Sequence, residues 1–226
     1  MAAYERYHEP YRDRRHAGAE LAARLDYLKG REDLVVLALP RGGVPVAYEV
    51  ARAIGAPLDI FLVRKLGVPG HRELAMGALA SGGVRVVNED VVALYRIPGT
   101  AIDAVAREEQ SELERRERDY RAGRPPVALQ GRTVILVDDG LATGSTMRAA
   151  VQAVRAHAPG KVIVAVPVGS ADTCQEFTDI ADEIVCAHAP EHFAAVGQWY
   201  RDFSQTSDEE VRALLHGASA AAGRTQ

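Results

Sequence analysis

Residues 134–147, VILVDDGLATGSTM, drive four aliphatic residues into two adjacent carboxylates, Asp138 and Asp139, and then into a small, hydroxyl-rich turn. Ala142, Thr143, Gly144, Ser145 and Thr146 form that turn, and a helical pattern follows it. A helix N-terminus offers unpaired amides and a partial positive charge, and a glycine lets that backbone approach a ligand closely. With the hydroxyls of Thr143, Ser145 and Thr146 added, such a turn holds a phosphate dianion without needing a lysine. The two acids one turn away would repel a bare phosphate. They fit a ligand that also offers hydroxyls, as a ribose does, or that brings Mg2+. Neither a Walker pattern nor GxGxxG is present.

Two further apolar runs end in charged or glycine-rich chemistry. Pro40-Arg41-Gly42-Gly43 follows the first, and a guanidinium beside a Gly-Gly turn grips phosphate or pyrophosphate through side chain and backbone together. Arg64-Lys65 follows the second, leading into Leu66-Gly67-Val68-Pro69-Gly70-His71, a segment suited to move as a lid. Plainer readings stand beside both: a Gly-Gly pair is often only a turn, and a basic pair is often only a surface edge. Taken together, the three ends place two anion cradles around a diacid. That arrangement suits a sugar carrying phosphate at one end and pyrophosphate at the other.

The elements that must position these residues follow from hydrophobic periodicity. Strand-like runs lie at 33–40, 58–65, 74–80, 84–88, 133–139, 161–168 and 182–187, with helical patterns at 17–29, 43–54, 100–121, 144–157, 170–179 and 207–216. Several strands are apolar at consecutive positions, as parallel strands covered on both faces are. The alternation predicts a mostly parallel, doubly wound α/β sheet, in which ligands bind outside the carboxyl ends of the strands. Runs 74–80 and 84–88, joined by Ser81-Gly82-Gly83, predict a hairpin on the sheet edge. Segment 107–121 interleaves acids and bases, with Glu112/Arg116 and Glu114/Arg118 at helical spacing, and predicts an exposed helix.

Composition excludes several classes of function. The 226 residues, 47% hydrophobic and 26% charged, describe an ordinary globular chain of one domain with appendages. A net charge of −4 leaves no electrostatic footprint for nucleic acid or an anionic membrane, so a small ligand is expected. No stretch approaches the roughly 20 apolar residues of a membrane span, and the N-terminus is charged where a signal peptide needs an apolar run. Cys174 and Cys186 have neither CxxC nor zinc spacing. They read as buried small residues of a cytoplasmic protein.

The 134–147 motif resembles the 5-phosphoribosyl 1-pyrophosphate (PRPP) signature of the type I phosphoribosyltransferases. PRGG resembles that family's pyrophosphate loop, and RKLGVPG resembles a segment of its adenine-type members. The resemblance spans about residues 33–203. It implies a core over 1–203 with a helical insertion near 88–130 and a small hood near 186–203, followed by a C-terminal helix and frayed tail over 204–226. It further implies that the loop Ala142–Thr146 binds the ribose 5-phosphate. Asp138 and Asp139 would meet the ribose hydroxyls, directly or with Mg2+ taking part, their own contact with the metal being indirect, via ribose hydroxyls or water. Arg41, Gly42, Gly43 and Lys65 would hold the pyrophosphate. Asp138, Asp139, Arg41 and Lys65 become the expected catalytic set, and the reaction is transfer of phosphoribose from PRPP to a nitrogenous base or amine.

Phe193, Val196, Gly197, Trp199 and Tyr200 resemble the acceptor hood of hypoxanthine-guanine-type members, with one residue inserted. Trp199 reads as a plug of the hood core, and Phe193 equally as a plug or as a ring that stacks on a base. Two positions depart from the pattern. Gly140 stands where an aliphatic residue is usual, and Ala142 stands where hypoxanthine-guanine-type members carry an aspartate as general base. A base must then come from elsewhere, with Glu73 and His192 as candidates, or the acceptor needs none. Family habit implies a homodimer, with the edge hairpin and Arg64 as interface elements. The alternative function is a regulatory protein that binds PRPP or a nucleotide without turning it over.

Overall fold

The computed structural model describes residues 9–222. In chain order its elements are α1 (Arg14–Arg24), β1 (Leu34–Ala38), α2 (Gly43–Ile54), β2 (Leu58–Ile60), β3 (Val63–Val68), β4 (His71–Ala80) and β5 (Val84–Val87). Then follow α3 (Glu89–Leu94), α4 (Gly99–Arg121), β6 (Thr133–Val137), α5 (Ser145–Arg155), β7 (Lys161–Val168), α6 (Ala171–Glu176), β8 (Glu183–His188) and α7 (Asp208–Ala222). The end of the tail expected to fray, 223–226, lies outside the described residues.

The consecutive apolar runs become an all-parallel five-stranded sheet in the order β2-β1-β6-β7-β8. Both β1 and β6 are buried at every position, because alternate side chains feed two different layers. Val36, Ala38, Ile135 and Val137 meet Leu21, Val46, Val50 and Leu215 from α1, α2 and α7. Val35, Leu37, Val134 and Leu136 meet Ala150, Val151 and Val154 of α5 and Phe177 just beyond α6. The β1–β6 register pairs Ala38 with Val137, so the turns after these two central strands emerge side by side.

One expected strand, 58–65, divides in two. Phe61 and Leu62 leave the parallel sheet, and Ser81 captures both backbone groups of Leu62: its Oγ accepts from Leu62 N at 2.8 Å and its own N donates to Leu62 O at 2.9 Å. The chain turns there, and β3 pairs antiparallel with β4. The hairpin expected on the edge of the parallel sheet therefore forms within a separate three-stranded sheet, β3-β4-β5. Burial hides the break from the sequence, since Ile60 and Leu66 are both fully buried on either side of it.

The charged segment forms α4, whose Glu112 bonds Arg115 and Arg116 while Glu114 accepts from Gln110. Its C-terminal end is anchored by a buried ion pair: Arg121 Nε donates to Asp59 at 3.0 Å and Nη2 to Ile60 O at 3.0 Å. Backbone amides of Ile60 and Val127 satisfy the remaining capacity of Asp59. Arg64 pairs with Glu109 of α4. Cys174 is buried, Cys186 half-buried, and both are unbridged. Among the described residues no helix is long and apolar enough to cross a membrane.

Candidate functional site

Asp138 and Asp139 leave β6 at the centre of the parallel sheet, and the Arg41–Gly43 turn leaves β1 beside them. Both glycines of that turn are required by contact. A Cβ on Gly43 would stand 2.7 Å from Val137 O and 2.9 Å from Asp138 Cα, and one on Gly42 would overlap the Asp139 carboxylate. The Gly-Gly pair is thus a close approach between two strand ends rather than only a turn. The Pro40–Arg41 peptide is cis.

Three chain segments meet on Asp139: α1, the Gly42 turn and residues 200–204. Arg14 Nε donates to Asp139 Oδ2 at 2.8 Å, Arg14 Nη1 donates to Ser204 O at 2.6 Å, and the same guanidinium lies 4.0 Å from the Phe203 ring centroid. Tyr200 Oη donates to Asp139 O at 2.5 Å. Tyr200 is itself held against the N-terminal segment, because Tyr11 N donates to Trp199 O and Arg201 N to Tyr11 O. Arg14 and Tyr11 are absent from the sequence-based site. The signal there is weak: Arg14 sits in a basic RDRR run just ahead of the helical pattern at 17–29.

The electrostatics follow from crowding. Burial, together with the adjacent Asp139 charge, raises the Asp138 carboxyl well above the usual carboxylate range, although its Oδ1 accepts from Asp139 N. Burial also raises Asp139, with Arg14 pulling the other way. Burial and the Asp139 charge raise the Tyr200 phenol, which therefore stays a neutral donor. A buried like-charged pair of this kind is costly without a ligand, and hydroxyls or a cation relieve the cost.

The hydroxyl-rich turn is fixed from behind and open in front. Leu141 N donates to Val168 O at 2.8 Å, Ser170 N to Leu141 O at 3.1 Å, and Thr173 Oγ1 to Ala142 O at 2.8 Å. Gly144 has φ +71°, and a Cβ there would lie 2.7 Å from Phe177 Cε2. The α5 ladder begins with Arg148 N on Gly144 O, so the amides of Ser145, Thr146 and Met147 precede it. Thr143, Ser145 and Thr146 are exposed, and the Oγ atoms of Thr143 and Ser145 lie 3.2 Å apart. Arg148, a further residue the sequence reading passed over, bonds Thr143 O and Glu176 at the rim. Gly140 also finds its reason: a Cβ there would come within 2.5 Å of a Val196 methyl.

The other expected residues lie further out. Arg41 Nη1 is 3.6 Å from Asp208 Oδ1 at the start of α7. Lys65 stands in β3, its Nζ 3.2 Å from Glu73 O and 3.4 Å from Glu73 Oε2, so the second sheet and not the crevice centre holds its charge. The Glu73 and His192 side chains are exposed. Phe193, Val196 and Trp199 pack on a small core of Tyr11, Ala17, Val168 and Tyr200. Trp199 stacks on His188 with ring centroids 6.4 Å apart and an interplanar angle of 13°. Among the described residues no group of three or more His, Cys, Asp or Glu could cage a metal. The available donors are the Asp138–Asp139 oxygens, one of them already taken by Arg14.

Comparison with known proteins bears on this arrangement. The family model for the phosphoribosyl transferase domain matches residues 11–203, a span that includes Tyr11 and Arg14. A Mycobacterium tuberculosis protein provisionally named as a phosphoribosyl transferase is 53% identical over 206 residues, covering 91% of this chain and 46% of that protein. The chain thus spans about half the length of that relative. The crystal structure of TT1426 from Thermus thermophilus is similar with a TM-score of 0.80 and 47% identity, covering 91% of this chain and 97% of that one.

Proposed function

The chain belongs to the phosphoribosyl transferase family, and from that premise we propose that it moves the 5-phosphoribosyl group of PRPP to a nitrogenous acceptor, releasing pyrophosphate. One observation supports the reading: the hydroxyl cup at Thr143–Thr146 follows the Asp138–Asp139 pair, and the Arg41–Gly43 turn packs against that pair at the ends of β1 and β6. A phosphate, a diol and a pyrophosphate succeed one another along PRPP in the same order.

In this reading the loop amides and hydroxyls bind the 5-phosphate, and Asp138 and Asp139 accept from the ribose hydroxyls. A lone pair of the acceptor nitrogen forms the bond to C1 as the C1–O bond breaks and its electron pair leaves with pyrophosphate. The carboxylates stabilise the positive charge that develops on the ribose, and the Arg41 guanidinium with the Gly42 and Gly43 backbone stabilises the departing group. Lys65 joins them if its hairpin closes over the crevice. The donor set suits Mg2+ bound mainly through water and substrate oxygens, with Asp138 and Asp139 in indirect contact; the ion would neutralise charge on the pyrophosphate. Residues near 186–203 form the acceptor hood, with Phe193 the ring available to a flat base.

A second reading, a PRPP-binding regulator, draws on a specific observation. Asp208 meets the charge of Arg41 and Glu73 that of Lys65, so both pyrophosphate cations already have partners. Pyrophosphate release, screened with PRPP and Mg2+ across purines, pyrimidines and other amines, separates the two. Release with one acceptor class establishes the transferase. Silence with every acceptor, despite tight PRPP binding, establishes the regulator, and failure to bind PRPP overturns both.

A further inference from the structure

A cavity of about 110 Å3 lies between α4, α7 and the Arg41 turn. Four guanidinium groups line it: Arg41, Arg115, Arg116 and Arg212. Two carboxylates, Asp119 and Asp208, face them, and Glu112 and Glu209 pair with the same guanidinium groups from outside the wall. The arginines are unequally engaged. Arg115 is the most engaged, with Nε and Nη2 on Glu112 and Nη1 on Asp119. Arg116 gives Nε to Glu112 at 2.7 Å, and Arg212 meets Glu209, whose side chain is 81% exposed. Arg41 has only the 3.6 Å approach to Asp208. Tyr120 Oη, donating to Asp208 Oδ1 at 2.7 Å, fixes that carboxylate on one wall.

Guanidinium groups match oxyanions in both shape and charge, and Arg41, Arg116 and Arg212 keep N–H donors that these carboxylates do not take. We propose that this cavity is a binding site for a multiply charged oxyanion of the phosphate class, held by Arg116 and Arg212 with Arg41 shared between it and the crevice. Its volume is well above the roughly 10–15 Å3 needed to hold one water, which leaves room for a tetrahedral oxyanion. Neither of the elements that enclose it, α4 and α7, supplies any other candidate site residue. The oxyanion has two possible sources, free phosphate or the pyrophosphate end of a bound donor reaching past Arg41. Only the second rests on the proposed transferase reading.

The test is titration of the full chain with inorganic phosphate at fixed ionic strength, read by calorimetry. Wild type is compared with Arg116→Gln/Arg212→Gln and with Ser145→Ala/Thr146→Ala. Phosphate binding that survives the loop variant and weakens about tenfold or more in the arginine variant supports the cavity, as loss of charge-assisted bonds requires. Arg116→Lys/Arg212→Lys, which keeps the charge, should recover part of that loss. Phosphate binding unchanged in the glutamine variant overturns the site. The same variants titrated with pyrophosphate and with PRPP plus Mg2+ identify the source: parallel weakening assigns the donor, and weakening for phosphate alone assigns a separate phosphate site. If wild type binds no PRPP, the transferase reading fails while the phosphate result still decides the cavity.

Discussion

The hydroxyl cup and the acidic centre are adjacent in sequence but are built in opposite ways. The cup is local: five consecutive residues at one helix start supply several equivalent donors, and its bonds to β7 and α6 only hold it from behind. The acidic centre is assembled from far apart in the chain, with Arg14, Gly42, Asp139 and Tyr200 each making a contact that no neighbour duplicates. Redundant donors tolerate the loss of one. A centre made of unique contacts does not.

Substitution should expose that difference, most strongly at the acids. Asp138→Asn/Asp139→Asn should abolish PRPP binding measured by calorimetry with Mg2+, and unchanged affinity would sink the site assignment. Asp138→Asn alone should lose binding yet raise the melting temperature at neutral pH, because the amide keeps the acceptor for Asp139 N without the buried charge. The sign follows from linkage. With its folded pKa raised, Asp138 destabilises the fold when ionised, so the gain from Asn is full above that pKa. It disappears as pH falls toward the ordinary carboxylate value of about 4. A gain that persists in acid would contradict this account.

Next in size is Gly42→Ala, whose Cβ overlaps the Asp139 carboxylate. Stability should fall by roughly 1–3 kcal/mol in chemical denaturation, and PRPP affinity should fall with it. Wild-type affinity in this variant would show that the two strand-end turns act independently. Arg14→Leu should be milder at neutral pH. Without the guanidinium, the Asp138–Asp139 pair holds protons more readily, so the acid limb of PRPP affinity should move to higher pH. A profile superimposable on wild type would remove Arg14 from the site. Ser145→Ala should be the smallest effect, a loss of about 1 kcal/mol or some fivefold in affinity, as deletion of one neutral hydrogen bond allows. A collapse of binding there would erase the contrast between redundant cup and unique centre.

The same contrast governs what could be read in advance. The parallel sheet was legible because strands buried on both faces are apolar at consecutive positions, and the cup was legible because all its chemistry is contiguous. Division of 58–65 into β2 and β3 was not legible, since the chain stays apolar through the break and the residue that turns it, Ser81, lies 19 positions from Leu62. Lys65 was readable as a basic residue near a strand end, but its place in a second sheet opposite Glu73 was not.

By itself, then, the sequence determined the alternation of apolar runs and helices and the local grouping of two acids, one conformationally free glycine and three hydroxyls. These depend on residue type and short-range spacing alone. Tertiary structure decided which distant groups complete the centre: Arg14 and Tyr11 from the N-terminal segment, Tyr200 and Val196 above the turn, and the arginines of α4 and α7 beside Arg41. Contacts between segments so far apart in the chain leave no periodic trace along it. They arise only when the β1–β6 register brings the strand ends together.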